Sequence, residues 1–149
     1  MKRLIFCFLL SVLFFAYKGK AQLQMQKTYP KVTVGKIAQA ELYYQVIDGD
    51  TMYTMLFRNA EYSTLVDYTL ITWESAQGET ESLYNIIMSV FTDENKKNKE
   101  YRVEFKLGSN DVVVKTERIM GTTSAWFWTD DGYRWFTEDQ AKKLFGKGK

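Results

Sequence analysis

From Tyr101 to Leu107 the chain alternates without a break. Tyr101, Val103, Phe105 and Leu107 are apolar, and Arg102, Glu104 and Lys106 between them are charged. Successive side chains of a strand point to opposite faces, so this segment reads as a strand with one face in a core and one in water. An antiparallel sheet covered on one side is the architecture that such a strand belongs to. The neighbouring runs are punctuated to match. Asp48-Gly49-Asp50 separates apolar runs at 42–47 and 52–57, and Gly108-Ser109-Asn110-Asp111 leads into 112–120. Gly121 bends the chain toward 125–129, and Asp130-Asp131-Gly132 turns it into 133–136. Asp-Gly between β-rich runs signals a hairpin, because Gly accepts the positive φ of a tight turn. A further strand is expected over 64–73, apolar on both faces and therefore central.

Two segments change the period. Leu83, Ile86, Ile87, Val90 and Phe91 recur at spacings of three and four, which predicts a helix over about 81–91. Thr80 is its expected N-cap, with Glu79 and Glu81 near the positive end of the dipole. Thr137-Glu138-Asp139-Gln140 matches a capping box and predicts a short helix over 138–145, with Gly146 as its stop. The expected fold is α+β: one antiparallel meander of six to seven strands, a helix inserted after the third strand, and a short C-terminal helix.

The N-terminus reads as an address. Lys2 and Arg3 precede an apolar run at 4–17 broken only by Ser11, a length that suits a secretory signal better than a bilayer crossing of roughly 20 residues. Gly19 and Ala21 place small residues before a cut expected between Ala21 and Gln22. Cys7, the only cysteine, sits between Phe6 and Phe8, without the small neighbours of a lipidation site. The expected organisation is a signal peptide at 1–21, a flexible lead-in at 22–31 carrying the only proline, Pro30, and one globular domain at 32–149. The destination is a periplasm or the exterior, with no stable membrane insertion after cleavage.

Residues 1–21 hold four of the 20 basic residues (Lys2, Arg3, Lys18, Lys20) and no acidic one, so residues 22–149 carry 16 basic against 18 acidic, a net −2. That balance argues against a general nucleic-acid binder, which needs Lys and Arg in excess for phosphates. The chain has no His, which removes Ser-His-Asp and Cys-His catalysis and imidazole metal ligation. It shows no P-loop, GxGxxG or GxSxG, and no cofactor or metal is expected. The loop at 93–100 is a charge run of the kind that forms a solvated turn.

What remains is aromatic. Trp126, Phe127, Trp128, Tyr133, Trp135 and Phe136 bring three of the four tryptophans within ten residues. With Asp131-Gly132 as a two-residue turn, Trp128 pairs with Trp135 and Phe127 with Phe136; a three-residue turn shifts the pairing. Alternation puts Trp126, Trp128, Tyr133 and Trp135 on one face and Phe127 and Phe136 on the other. Either the C-terminal helix covers the second face or that face is an exposed platform. Trp and Tyr are enriched at binding hot spots. The carboxylates Glu41, Asp48, Asp50, Asp67, Glu74, Asp130 and Asp131 offer a weaker case; Asp67, in an expected central strand, is the one that burial would perturb. Asp130 and Asp131 suit a turn better than the oxygen-rich shell of calcium.

The function expected is that of an exported, non-catalytic module binding another protein through Trp126, Trp128, Tyr133 and Trp135. Inhibitors, immunity proteins and envelope-associated modules share its size and location, an analogy of association only. A carbohydrate-binding module using the same face is the alternative, and a carboxylate-based hydrolase centred on Asp67 the third reading.

Overall fold

The computed structural model describes residues 27–61, 64–75 and 78–148. The signal segment and its cut lie outside the described residues, as does the lead-in before Lys27. No helix among the described residues is long and apolar enough to cross a membrane.

The protein is mostly antiparallel sheet with two helices. β1 (Val32–Ile37), β2 (Ala40–Ile47), β3 (Asp50–Arg58) and β4 (Tyr68–Glu74) precede α1 (Glu79–Ser89). β5 (Arg102–Leu107), β6 (Asn110–Ile119), β7 (Thr122–Thr129) and β8 (Gly132–Phe136) precede α2 (Glu138–Leu144). The strands form two four-stranded sheets, β1-β2-β3-β4 and β5-β6-β7-β8. This corrects the single meander of six to seven strands, and it places the helix after the fourth strand rather than the third. The reason is coverage. Helices of 11 and seven residues could not bury one apolar face of an eight-stranded sheet. Split in two, the sheets contribute their inner faces to one core, where Phe57 of β3 meets Phe127 of β7 edge to face at 5.8 Å. Leu42, Met55, Ile71, Val112, Val114 and Phe136 share that core with Leu83 and Ile87 of α1 and Ala141 and Leu144 of α2.

Local signals hold where a near neighbour supplies the partner. Asp48-Gly49 makes the tight β2–β3 turn, with positive φ at both residues. Thr137 caps α2, and its capping box is complete: Oγ1 accepts from Gln140 N, and Gln140 Oε1 from Thr137 N. α1 is different. Its N-cap is Gly78 with no side-chain hydrogen bond. The expected cap, Thr80, instead accepts from the indole of buried Trp73 at 3.1 Å. The two helices meet through Tyr84 against Phe145, ring centroids 5.4 Å apart, and through the ion pair of Lys147 with Glu81 at 2.7 Å. The end of α2 rests on β1 at Gly35, where a Cβ would overlap the backbone carbonyls of Lys143 and Leu144.

The loop at 93–100 is partly built into the fold. Asn95 O accepts from Thr116 Oγ1, and Lys96 O from Thr123 Oγ1, so its backbone closes over the ends of β6 and β7.

An aromatic ladder as the candidate functional site

β7 and β8 are joined by Asp130-Asp131, with Thr129 opposite Gly132. This differs from the turn at Asp131-Gly132 by one position. Trp126 therefore faces Trp135, Trp128 faces Tyr133, and Phe127 faces Arg134. The pairing slips by two residues from the one expected, and a slip of two leaves every side chain on its expected face. Trp126, Trp128, Tyr133 and Trp135 share the outer face, while Phe127 and Phe136 are buried inside.

The four rings are interleaved. In the order Trp128, Tyr133, Trp126, Trp135 successive centroids are 4.8, 5.0 and 5.8 Å apart, with interplanar angles of 7°, 8° and 28°. Rings that close and that nearly parallel stack with their centres offset, Trp126 and Trp128 being themselves only 6.4 Å apart, and the two inner rings, Tyr133 and Trp126, each lie between two from the other strand. The stack therefore presents ring edges along its length, and the outer ring face at its Trp128 end. Trp128 is 40% exposed, and the other three are half-buried. Both helices pack on the inner side of this sheet, through the core that holds Phe127 and Phe136.

Charges border the ladder on its open side. Lys115 of β6 stands 5.1 Å from the Trp126 ring and 5.8 Å from that of Trp128, and pairs with Glu117 at 3.1 Å. Arg102 pairs with Glu104 at 2.6 Å. Arg102, Val113, Lys115 and Trp128 line an open depression of about 300 Å³. This face combines aromatic ring edges and one exposed ring with two cations, each paired with a carboxylate.

The hairpin is tied to the other sheet by Asn59, a residue that sequence reasoning missed. Asn59 is 2% exposed and lies just past the end of β3. Its Nδ2 donates to Asp131 O and to Asp67 Oδ2, both at 3.3 Å. Its Oδ1 accepts from Glu61 N at 3.0 Å and Tyr133 N at 3.2 Å. Ala60 N adds a bond to Tyr133 O at 2.9 Å. The amide is thus fully satisfied by partners up to 74 residues away. Gly132 makes room for it: its φ is +142°, and a Cβ there would overlap the Asn59 carboxamide.

Of the candidate carboxylates, Asp67 and Asp131 meet at Asn59, whose Nδ2 donates to the Asp67 carboxylate and to the main-chain oxygen of Asp131. Asp67 lies before β4, which is an edge strand, and is exposed, contrary to the buried central position expected for it. Asn59 and Ala60 leave the sheet to bond the β7–β8 hairpin, and β4 begins only at Tyr68, opposite Arg58. Asp130 and Asp131 form the turn itself, and no group of three or more metal-ligating side chains occurs among the described residues. Glu41 is held below the usual carboxylate range, first by its bond to Lys31, although some burial opposes this. Arg134 was also missed; its guanidinium is held below the usual arginine range by burial and then by the like charge of Arg58.

The fold and its ladder define the class no further than a two-sheet α+β protein with an aromatic strip on one open face. The chain significantly matches no known family, no curated protein and no solved structure.

Proposed function

We propose that this chain is an exported, non-catalytic module that binds another protein through the outer face of its second sheet. The observation that carries this reading is the four-ring ladder on the face opposite both helices, bordered by Lys115 and Arg102. An inhibitor-like, immunity-like or envelope-associated role fits such a surface. The N-terminal apolar run with its small residues before Gln22 supports export to a periplasm or the exterior.

Carbohydrate binding is the second reading, favoured by one observation. The terminal ring, Trp128, borders the 300 Å³ depression with Arg102 and Lys115. Stacking on sugar rings needs free aromatic faces, and the ladder consumes those of Tyr133 and Trp126 between their neighbours. That leaves one subsite rather than a platform. For the hydrolase reading, Asp67 is exposed, and its carboxylate shares Asn59 Nδ2 with the main-chain oxygen of Asp131 as part of a turn clamp.

Affinity capture separates these. Residues 22–149 serve as bait against envelope and culture-fluid proteins of the source, with Trp128→Ala/Lys115→Ala, checked for folding, as control. One stoichiometric protein held by the first bait and lost by the second is the expected outcome. Equal retention by both baits, or none by either, contradicts the reading. A glycan-dependent change in tryptophan fluorescence would move the weight to sugar.

A further inference from the structure

On the outer face of the second sheet, Arg102 of β5 and Lys115 of β6 are register partners. Two cations thus stand directly opposite each other, an arrangement that costs free energy by itself. Each is paired with a carboxylate two residues on along its own strand, Arg102 with Glu104 and Lys115 with Glu117. Because the strands are antiparallel, those carboxylates lie on opposite sides of the cation pair and neither stands between its members. Both pairs are open to solvent, and an exposed pair holds its members weakly. An ammonium and a guanidinium also carry more N–H donors than one carboxylate oxygen takes up, so each cation can hold a second acceptor.

The open depression of about 300 Å³ lies at this cation pair, and Arg102, Val113, Lys115 and Trp128 line it. Its described walls therefore hold two cations and no acid. Lys115 is held there by the rings as well, 5.1 Å from the Trp126 centroid and 5.8 Å from that of Trp128. Trp128 stacks on Tyr133 at 4.8 Å, and no further ring among the described residues follows it at its outer end. A flat ring is the group that continues such a stack best. The volume is at the small end for a ligand site, with room for one large side chain and a charged neighbour.

We propose that the protein partner fills this depression with an aromatic side chain flanked by an acidic one, the ring stacked on Trp128 and the carboxylate shared by Arg102 and Lys115. The proposal rests on the protein-binding reading and names what the partner brings to it. A nucleic acid also offers a flat ring beside an anion. Its phosphates would continue past the depression, however, onto the outer face of β5 and β6, where Glu104, Asp111 and Glu117 outnumber Lys106. A single carboxylate meets only the two cations.

The test titrates 15N-labelled protein at fixed ionic strength with a blocked Gly-Asp-Phe-Asp-Gly peptide, its Asn-for-Asp analogue, its Ala-for-Phe analogue and a short oligothymidylate. It follows the indole Nε1–H resonance of Trp128, identified by its loss in Trp128→Phe. The expected result is saturable, millimolar binding of the first peptide and binding about tenfold weaker of each analogue. Lys115→Gln should weaken the first peptide about tenfold and leave the Asn analogue unchanged, as coupling between the two charges requires. Arg102→Gln should do the same. No saturation by the first peptide, equal binding of the acidic and Asn peptides or of the Phe and Ala peptides, or tighter binding of oligothymidylate overturns the proposal. Such a failure, with a protein still captured through Trp128 and Lys115, strikes the ligand chemistry alone; capture of no protein strikes the reading beneath it.

Discussion

The two halves of the molecule repeat one order of elements, four antiparallel strands and then a helix, yet they close their last hairpin differently. In the first half, an excursion separates β3 from β4, with Asn59 N bonded to Asp67 O at its base and Ala60 N to Tyr133 O; in the second, Asp130-Asp131 turns β7 directly into β8. The excursion of one half is anchored on the turn of the other, through Asn59 and the Ala60–Tyr133 backbone bond. The tight turn holds Tyr133 and Trp135 in register with Trp128 and Trp126, which stacks the rings. The outer face of the first sheet carries a looser mixture, with Leu56 opposite Leu70 and Arg58 opposite Tyr68, and no stacked series of rings among its described residues. Equivalent scaffolds thus differ because one loop serves as a clamp and the matching turn serves to stack side chains.

The largest expected effect comes from breaking the clamp. Asn59→Ala strips acceptors from two backbone N–H groups, of Glu61 and Tyr133, and should lower stability by about 3 kcal/mol in urea unfolding. Gly132→Ala should cost a similar amount through overlap with the same carboxamide. Because the two residues share one contact, the double variant should lose less than the sum of the two by more than about 0.5 kcal/mol. Simple additivity would mean that the halves are not joined there.

A middle-sized effect sharpens the ladder. Tyr133→Leu removes a ring sandwiched between two others and should cost about 1–2 kcal/mol, whereas Trp128→Leu, at the end, should cost less than about 1 kcal/mol. Near-ultraviolet circular dichroism should lose more signal in the first variant, although only the second removes an indole. The reverse order of stability would contradict an interleaved stack.

The smallest effect belongs to the first sheet. Glu41 accepts from Lys31 at 2.9 Å and Thr33 at 3.1 Å, and its carboxyl is held below its usual range. A depressed folded-state value means that the bond stabilises the fold above the unfolded carboxylate range, near about 4.3, and is lost as pH falls through the folded value. The gap in urea midpoint between the parent and Glu41→Gln should therefore be widest at neutral pH and close on acidification. A gap that widens in acid would reverse the sign.

Much of this was legible locally. The alternation at Tyr101–Leu107, the Asp48-Gly49 turn and the Thr137 capping box are all settled by residues a few positions apart. The face of each ladder ring was legible too, because parity survives a slip of two. The turn position was not, since Asp130-Asp131 and Asp131-Gly132 are both good turn formers and Asn59, far away in sequence, decides between them. For the same reason the division into two sheets was hidden: alternation gives a strand its faces but not its neighbours. Arg134 could have been found, because a residue between Tyr133 and Trp135 must turn inward with Phe127 and Phe136.

The most direct test of the account compares the two outer faces in the source cells. Trp128 and Leu70, 40% and 54% exposed, would each be replaced by a photo-crosslinking phenylalanine analogue. Position 128 should give one discrete protein adduct on illumination, and position 70 none. Adducts from position 70 alone, or from neither position, would contradict the assignment of the second sheet as the binding face.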